Sequence, residues 1–436
     1  MTHLVPPSTR RARPSAGLIV TSTVVAALCV PAAAQAQARW AVQTSASAGV
    51  ESNPYFSSGS GAALTGTLDI QPSIVLDLPR TTLQLSGDAQ AVFYDRGLDP
   101  RETLSLNGSG THRLSERTTF SAQIGFVDDI VGSVYAGAIP FVDPVLAVAP
   151  AAGQGTTDAT GVTTTPVTTL PATLPVYLND PTLGELGRRR QTYQASGNIS
   201  TLISTRDSIS AGTAVSLNRY GQLQDYNYAA PSASWQHALG PHSSVGAGFQ
   251  AGFINYLHTN RGDATTYGPQ LLGTVDLGNR LIASGTIGIT FANLHDQIGG
   301  NRTTRSLSGT FNLCRQGDRS SLCVNGARQV SPSAFQGVTT VSIVTGTYSY
   351  RLSPKSSVQA SGSYSHSDSP LDPGLTGFGG NSVDYGSASG SYSRRLGPKL
   401  SGFVSAGYAQ PFGGQNRRGA DINGQIGVSY RFTPRP

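Results

Sequence analysis

A turn phrase recurs along this chain and sets the length of everything between its copies. It reads RLSERT (Arg113–Thr118), ALGPHS (Ala238–Ser243), DLGNRL (Asp276–Leu281), YRLSPKS (Tyr350–Ser356) and RRLGPKL (Arg394–Leu400). LDLPRT (Leu76–Thr81), STRDS (Ser204–Ser208) and the turn between Cys314 and Cys323 complete a set of short turns. The segments flanking each copy alternate apolar and polar side chains, and the connections at their far ends are longer. Short turns on one side and longer loops on the other are the layout of a strand meander that crosses a membrane.

The alternation is explicit in Leu64–Leu78. Leu64, Gly66, Leu68, Ile70, Ile74, Leu76 and Leu78 share one face, and Thr65, Thr67, Asp69, Gln71, Ser73 and Asp77 share the other. A period of two places these sets on opposite sides of a sheet. Counting such segments gives about eighteen strands, an even number as single-chain bacterial barrels require. Both termini then lie on the periplasmic side. The weakest segment is centred near Gly326, where Asn325 and Arg328 blur the pattern, so sixteen strands is the fallback.

Composition agrees with half-apolar strands. Of 436 residues only 12% are charged, although 38% are hydrophobic. A soluble domain carries about a quarter charged residues. Beyond the N-terminal segment no apolar run is long enough for a transmembrane helix. Strands can cross a bilayer only as a closed barrel, because every backbone N–H and C=O must be paired there. The fold class is therefore an all-β transmembrane antiparallel β-barrel.

A soluble β-sandwich, the alternative, would bury its aromatics at mid-strand. Here Trp40, Phe120, Trp235, Tyr348, Tyr350, Tyr392, Tyr430 and Phe432 sit beside the short turns or termini. Phe93, Tyr94, Phe126, Tyr193, Tyr256, Tyr267, Phe291, Tyr385 and Tyr408 sit near the long loops. Two bands at opposite strand ends are what interfacial girdles require.

Met1–Ala38 reads as a secretory signal, with Arg10, Arg11 and Arg13 ahead of the apolar stretch Gly17–Val30 and small-residue cleavage sites ending at Ala36 or Ala38. The domain layout is a signal peptide over 1–38 and a barrel over 39–436, interrupted by a long connection at 128–190. Removing three arginines and no acid takes the formal net charge from +6 to +3. So small a charge gives no case for nucleic acid.

Chemistry-bearing clusters are few. Cys314 and Cys323 are the only cysteines of the mature chain. They face each other across a turn in an oxidising compartment, so a disulfide is expected there. The histidines are scattered without metal-ligand spacing. No nucleophile elbow is present, so neither a catalytic site, a cofactor nor a metal is expected. Gly246, Gly248 and Gly252 superficially suggest a nucleotide loop, but they lie inside an alternating strand and read as close strand packing.

The lumen face carries the functional argument. Its expected residues are Asp69, Gln71, Asp88, Gln90, Asn107, Gln123, Gln194, Asn198, Gln236, Gln250, Gln270 and Asn312, set among Ser and Thr. No Arg or Lys ladder runs through it, as an anion-selective pore would need. Hydroxyls and amides suit neutral hydrophilic cargo, or they merely wet the interior. The long connection, rich in Thr, Ala and Pro, is either an inward-folded constriction or a surface lid. In the first case Asp128, Asp129, Asp143 or Glu185 would face the wall at the narrowest point.

GVESNPY (Gly49–Tyr55) after the first strand and YSYRLSPKSSVQASGSYSHS (Tyr348–Ser367) late in the chain carry a family resemblance. The chain resembles the outer-membrane β-barrel porins associated with exopolysaccharide systems. That resemblance implies a wide conduit for polysaccharide export, working with a periplasmic polysaccharide export protein. It transfers no individual site residue. The expected surroundings are outer-membrane lipid and lipopolysaccharide. The last strand, Ile422–Phe432, ends in an aromatic of the kind the barrel assembly machinery recognises. A passive diffusion porin for small polar solutes or sugars, and a structural or adhesive barrel without conductance, stay open as alternatives.

Overall fold

The computed structural model describes residues 37–54, 61–95, 98–130, 189–220, 225–257, 263–278, 280–296, 300–332, 337–368, 382–412 and 419–433. The expected signal segment lies outside them, save Gln37 and Ala38, which open the first strand. No described helix is long and apolar enough to cross a membrane.

The described residues form eighteen strands. In chain order they are β1 (Gln37–Glu51), β2 (Ala63–Leu78), β3 (Thr81–Tyr94), β4 (Arg101–Arg113), β5 (Thr118–Ile130) and β6 (Arg189–Leu202). There follow β7 (Asp207–Arg219), β8 (Tyr226–Gly240), β9 (Ser243–Tyr256), β10 (Asp263–Asp276), β11 (Leu281–Asp296) and β12 (Gly300–Gln316). The last six are β13 (Ser320–Pro332), β14 (Val338–Ser353), β15 (Ser356–Asp368), β16 (Val383–Arg395), β17 (Leu400–Phe412) and β18 (Asp421–Phe432). Each pairs antiparallel with its sequence neighbours, and β18 closes onto β1 from Val42–Phe432 to Glu51–Asn423. The segment blurred by Asn325 and Arg328 is a full strand. A closed meander leaves no sheet edge at the seam.

The turn phrases form the short turns at one end, for reasons of local chemistry. The Ser115 hydroxyl accepts from the backbone N–H of Arg117 (3.2 Å) and Thr118 (3.0 Å). Ser204 does the same for Arg206 (3.1 Å) and Asp207 (2.9 Å), and Asp276 accepts from Gly278 at 2.9 Å. A short polar side chain at the first turn position thus satisfies backbone donors that no ladder reaches.

Alternation then sorts the faces. Leu68, Ile70, Leu85, Ile124, Leu271, Ile287, Leu307 and Ile426 all stand exposed on the outer side, Ile124 and Leu271 each at 63%. In water so continuous an apolar belt would aggregate; in hydrocarbon it is matched. Phe93, Tyr193, Tyr267 and Tyr408 rim the belt at the long-loop end, and Trp40, Phe120, Trp235, Tyr392 and Phe432 rim it at the short-turn end. Tyr94, Tyr256 and Tyr385 depart from the expected girdle. All three lie on the inner face, Tyr94 opposite Thr65 and the other two at 4% and 5% exposure.

Besides register shifts beside two short turns, at Ala238–Gly240 and Arg351–Ser353, the wall is interrupted between β12 and β13. β11 and β12 stay in register from Leu281–Arg315 to Asp296–Gly300. β12 and β13 pair only from Gln316–Ser321 to Gly309–Arg328, whereas β13 continues with β14 to Pro332–Val338. The far half of the β13–β14 hairpin has left β12. It turns into the barrel, where Val330 and Val338 pack against Tyr226, Tyr228, Ile254, Tyr256 and Ala292.

Candidate functional site

The lumen face is built from amides set opposite hydroxyls. Asn107 pairs with Ser86, Gln123 with Ser109 and Ser196, Gln194 with Ser216, and Asn198 with Ser121. Gln236 stands opposite Ser208, Gln250 opposite Ser232, and Asn312 opposite Ser284 and Asn325. Gln270 lies between Gly248 and Gly288. On β2 and β3, Asp69 is paired with Gln90, and the Gln71 amide donates to both Asp69 (2.9 Å) and Asp88 (3.0 Å). All twelve residues expected in the lumen therefore occupy the face opposite the lipid belt. Register is the cause, since a slip of one residue would send every one of them into lipid.

Hydroxyl pairs carry the polarity around the wall. Ser321 meets Ser349 (2.9 Å), Ser361 meets Ser389 (2.7 Å) and Ser363 meets Ser387 (2.7 Å). Thr286–Thr310 (3.0 Å) and Thr290–Ser308 (2.8 Å) continue the pattern on β11 and β12. Each hydroxyl both donates and accepts, so these pairs offer hydrogen bonds to a solute of either polarity without imposing a charge.

The narrowing comes from the β13–β14 hairpin. Tyr220, Tyr226, Tyr228 and Tyr256 form a buried cluster on the inner wall, with the Tyr226 and Tyr256 rings 5.6 Å apart. The Tyr256 hydroxyl donates to the Gly337 carbonyl at 2.7 Å, a bond from β9 to the residue that leads into β14. Gly252 leaves room for the Tyr228 ring beside it. A Cβ there would stand 2.4 Å from Thr266 Oγ1 and 3.0 Å from Tyr228 Cε2. Between hairpin and wall remains a small cavity of about 90 Å³, lined by Tyr226, Gln250, Gln270, Thr286 and Arg328 among others.

The residues expected on a constriction loop are placed otherwise. Asp128 and Asp129 are not loop residues but lie near the long-connection end of β5 (Thr118–Ile130), held by β6. The Asp129 carboxylate accepts from Arg190 Nε (3.0 Å) and Nη2 (2.7 Å) in the interior. Asp128 accepts from Arg189 Nε (2.7 Å) and Nη2 (2.9 Å) on the outer side, and from Gln191 (3.1 Å). Both acids brace the wall, because a bidentate guanidinium satisfies a carboxylate better than an open lumen does. Asp143 and Glu185 lie outside the described residues. A third ion pair, Glu51–Arg101 at 3.6 Å, is buried near Asp421 at the same end.

Cys314 and Cys323 are direct cross-strand partners on the inner face, with Cα atoms 4.1 Å apart, and form a disulfide. It sits where β12 and β13 are still paired. No group of metal-ligating side chains occurs among the described residues.

Sequence reasoning missed the hairpin and the tyrosine cluster. A signal was present: Tyr226, Tyr228 and Ile254 fall on the parity that elsewhere carries Gln and Ser.

A closed eighteen-strand barrel with an apolar belt and a polar lumen is a membrane-spanning barrel of the outer-membrane type. No protein-family model and no characterised sequence matches the chain. Among solved structures it is similar to OccK2 (OpdF) of Pseudomonas aeruginosa, at 12% identity, over 91% of this chain and 98% of that one, with a TM-score of 0.41. It is likewise similar to a BenF-like porin from Pseudomonas fluorescens (8% identity, 91% and 99% covered, TM-score 0.42). The FrpB iron transporter from Neisseria meningitidis gives 9% identity, 90% and 82% coverage and a TM-score of 0.42.

Proposed function

We propose that this chain is an outer-membrane channel for passive diffusion of small polar solutes, neutral or weakly charged, sugars included. The observation that carries the reading is a lumen walled by paired hydroxyls and amides and narrowed by the β13–β14 hairpin. Sixteen to eighteen strands enclose an aqueous bore. Within it Asp69 and Asp88, the only mid-strand acids of the amide-lined wall among the described residues, share one glutamine amide. That arrangement favours solutes that exchange water for hydroxyl contacts, without the basic rings an anion pore uses.

Polysaccharide export, the function the family resemblance implies, asks for a bore open to a continuous polymer, and the docked hairpin narrows it. The discriminating measurement is swelling of proteoliposomes in sugars of increasing size, beside conductance in planar bilayers. Uptake that falls off between small sugars and longer oligosaccharides is the expected result. A barrel that conducts nothing would support the structural reading. Retention of polymer by a deletion strain, without any solute swelling, would support export through a periplasmic partner.

A further inference from the structure

The β13–β14 hairpin has two places to go, and its sequence is written for both. Along β13 and β14, Val324, Val330, Val338 and Val344 share the parity that faces lipid, and Val344 does so at 44% exposure. Val330 and Val338 nevertheless pack on the lumen tyrosines. Across the gap, the Gly300–Ser308 stretch of β12 is laddered to β11 alone among the described strands. Unpaired backbone at membrane depth is tolerated only beside protein or a watery cavity.

Extending the β12–β13 register beyond Gly309–Arg328 is a matter of counting. Ser308 would meet Gln329, Leu307 would meet Val330, and Ser306 would meet Ser331. Leu307 is already exposed on the lipid face, so Val330 would join an apolar neighbour there. Ser306 and Ser331 would form one more hydroxyl pair in the lumen. The same residues are thus satisfied in either position, as a switching element requires.

We propose that this hairpin is a gate. Docked on the tyrosine cluster, as here, it narrows the lumen; zipped onto β12 it completes the wall and clears the bore. The docked position gains the contacts of Val330 and Val338 and the Tyr256–Gly337 hydrogen bond. The zipped position gains ladder hydrogen bonds to β12. Solutes that fill the cavity under the hairpin bias the balance in proportion to their differential affinity for the two positions. This inference rests on the channel reading above.

The test places cysteines at Ser306 and Ser331 in a Cys314→Ser/Cys323→Ser background. Thr310→Cys with Ala327→Cys, already opposite one another, serves as the control pair. Crosslinking is read by peptide mass spectrometry and needs no conductance. Both pairs are expected to oxidise, and the 306–331 crosslink is expected to abolish closures and fix the high-conductance level. Tyr256→Phe, which removes the donor to Gly337, is expected to shift open-to-closed occupancy about tenfold toward open. If the control pair forms and the 306–331 pair does not, the movement is overturned. Unchanged gating in the crosslinked protein overturns the gate. A barrel that crosslinks at 306–331 yet never conducts overturns the channel reading while keeping the movement.

Discussion

Asp128 and Asp129 offer a matched experiment, because adjacent acids of β5 bind adjacent arginines of β6 in opposite environments. The inner pair is dry, with side-chain exposures of 10% for Arg190 and 2% for Asp129. The outer pair has Arg189 at 60% exposure, although Asp128 itself is at 8%. Asp129→Asn keeps the shape and one acceptor but takes the Asp129 charge away from a buried guanidinium. Breaking a buried pair costs about 3–5 kcal/mol, and the retained acceptor argues for about 3. Asp128→Asn lets Arg189 turn to solvent, so the cost is about 1 kcal/mol or less. Urea unfolding of the barrel refolded into lipid vesicles, read by the shift in gel mobility on heating, measures both. With a slope near 3 kcal/mol/M, Asp129→Asn should lower the midpoint by about 1 M and Asp128→Asn by a third of that or less. The double change Asp129→Leu with Arg190→Met should lie closer to wild type than Asp129→Asn alone, since it leaves no orphaned charge. Equal shifts for the two single Asn variants would refute the burial argument.

Three further outcomes are expected. Replacing Cys314 and Cys323 by Ser should cost up to about 2–3 kcal/mol for so short a loop, and maleimide should label the native pair only after reduction. Gly326→Leu should destabilise by about 1–3 kcal/mol, because a Cβ there would stand 2.0 Å from the Phe311 ring; Phe311→Ala in the same chain should relieve it, and no relief would discard the clash. Arg at Ile124, on the lipid face, should cost about 2–4 kcal/mol if it lies near the bilayer midplane, whereas Gln123→Arg, one residue away on the lumen side, should leave stability alone and shift ion selectivity toward anions. Reversal of that order in vesicle unfolding and reversal-potential measurements would contradict the assigned faces.

Much of this molecule was legible in its residues. Alternation and turn chemistry are local, so Leu68 against Asp69, or Ser204 over Asp207, announces its role within a few positions. The strands, the short turns, the lumen face of the amides and the Cys314–Cys323 pairing all followed from such signals. A period of two states which face a side chain occupies, but it does not state where that stretch of wall runs. Val330 and Val338 carry lipid-facing parity and still lie in the lumen, because the β13–β14 hairpin leaves β12 after Arg328. The Tyr256 hydroxyl and the Gly337 carbonyl are eighty-one positions apart, and Asp129 and Arg190 sixty-one. The first contact depends on closure of the whole barrel and the second on β5 pairing with β6 across the long connection, and no local pattern reports either. The chain by itself determined a meander of about eighteen alternating strands and the face that most of their side chains take. Only the closed structure decided what fills the lumen, since that follows from which distant strands are brought to face one another.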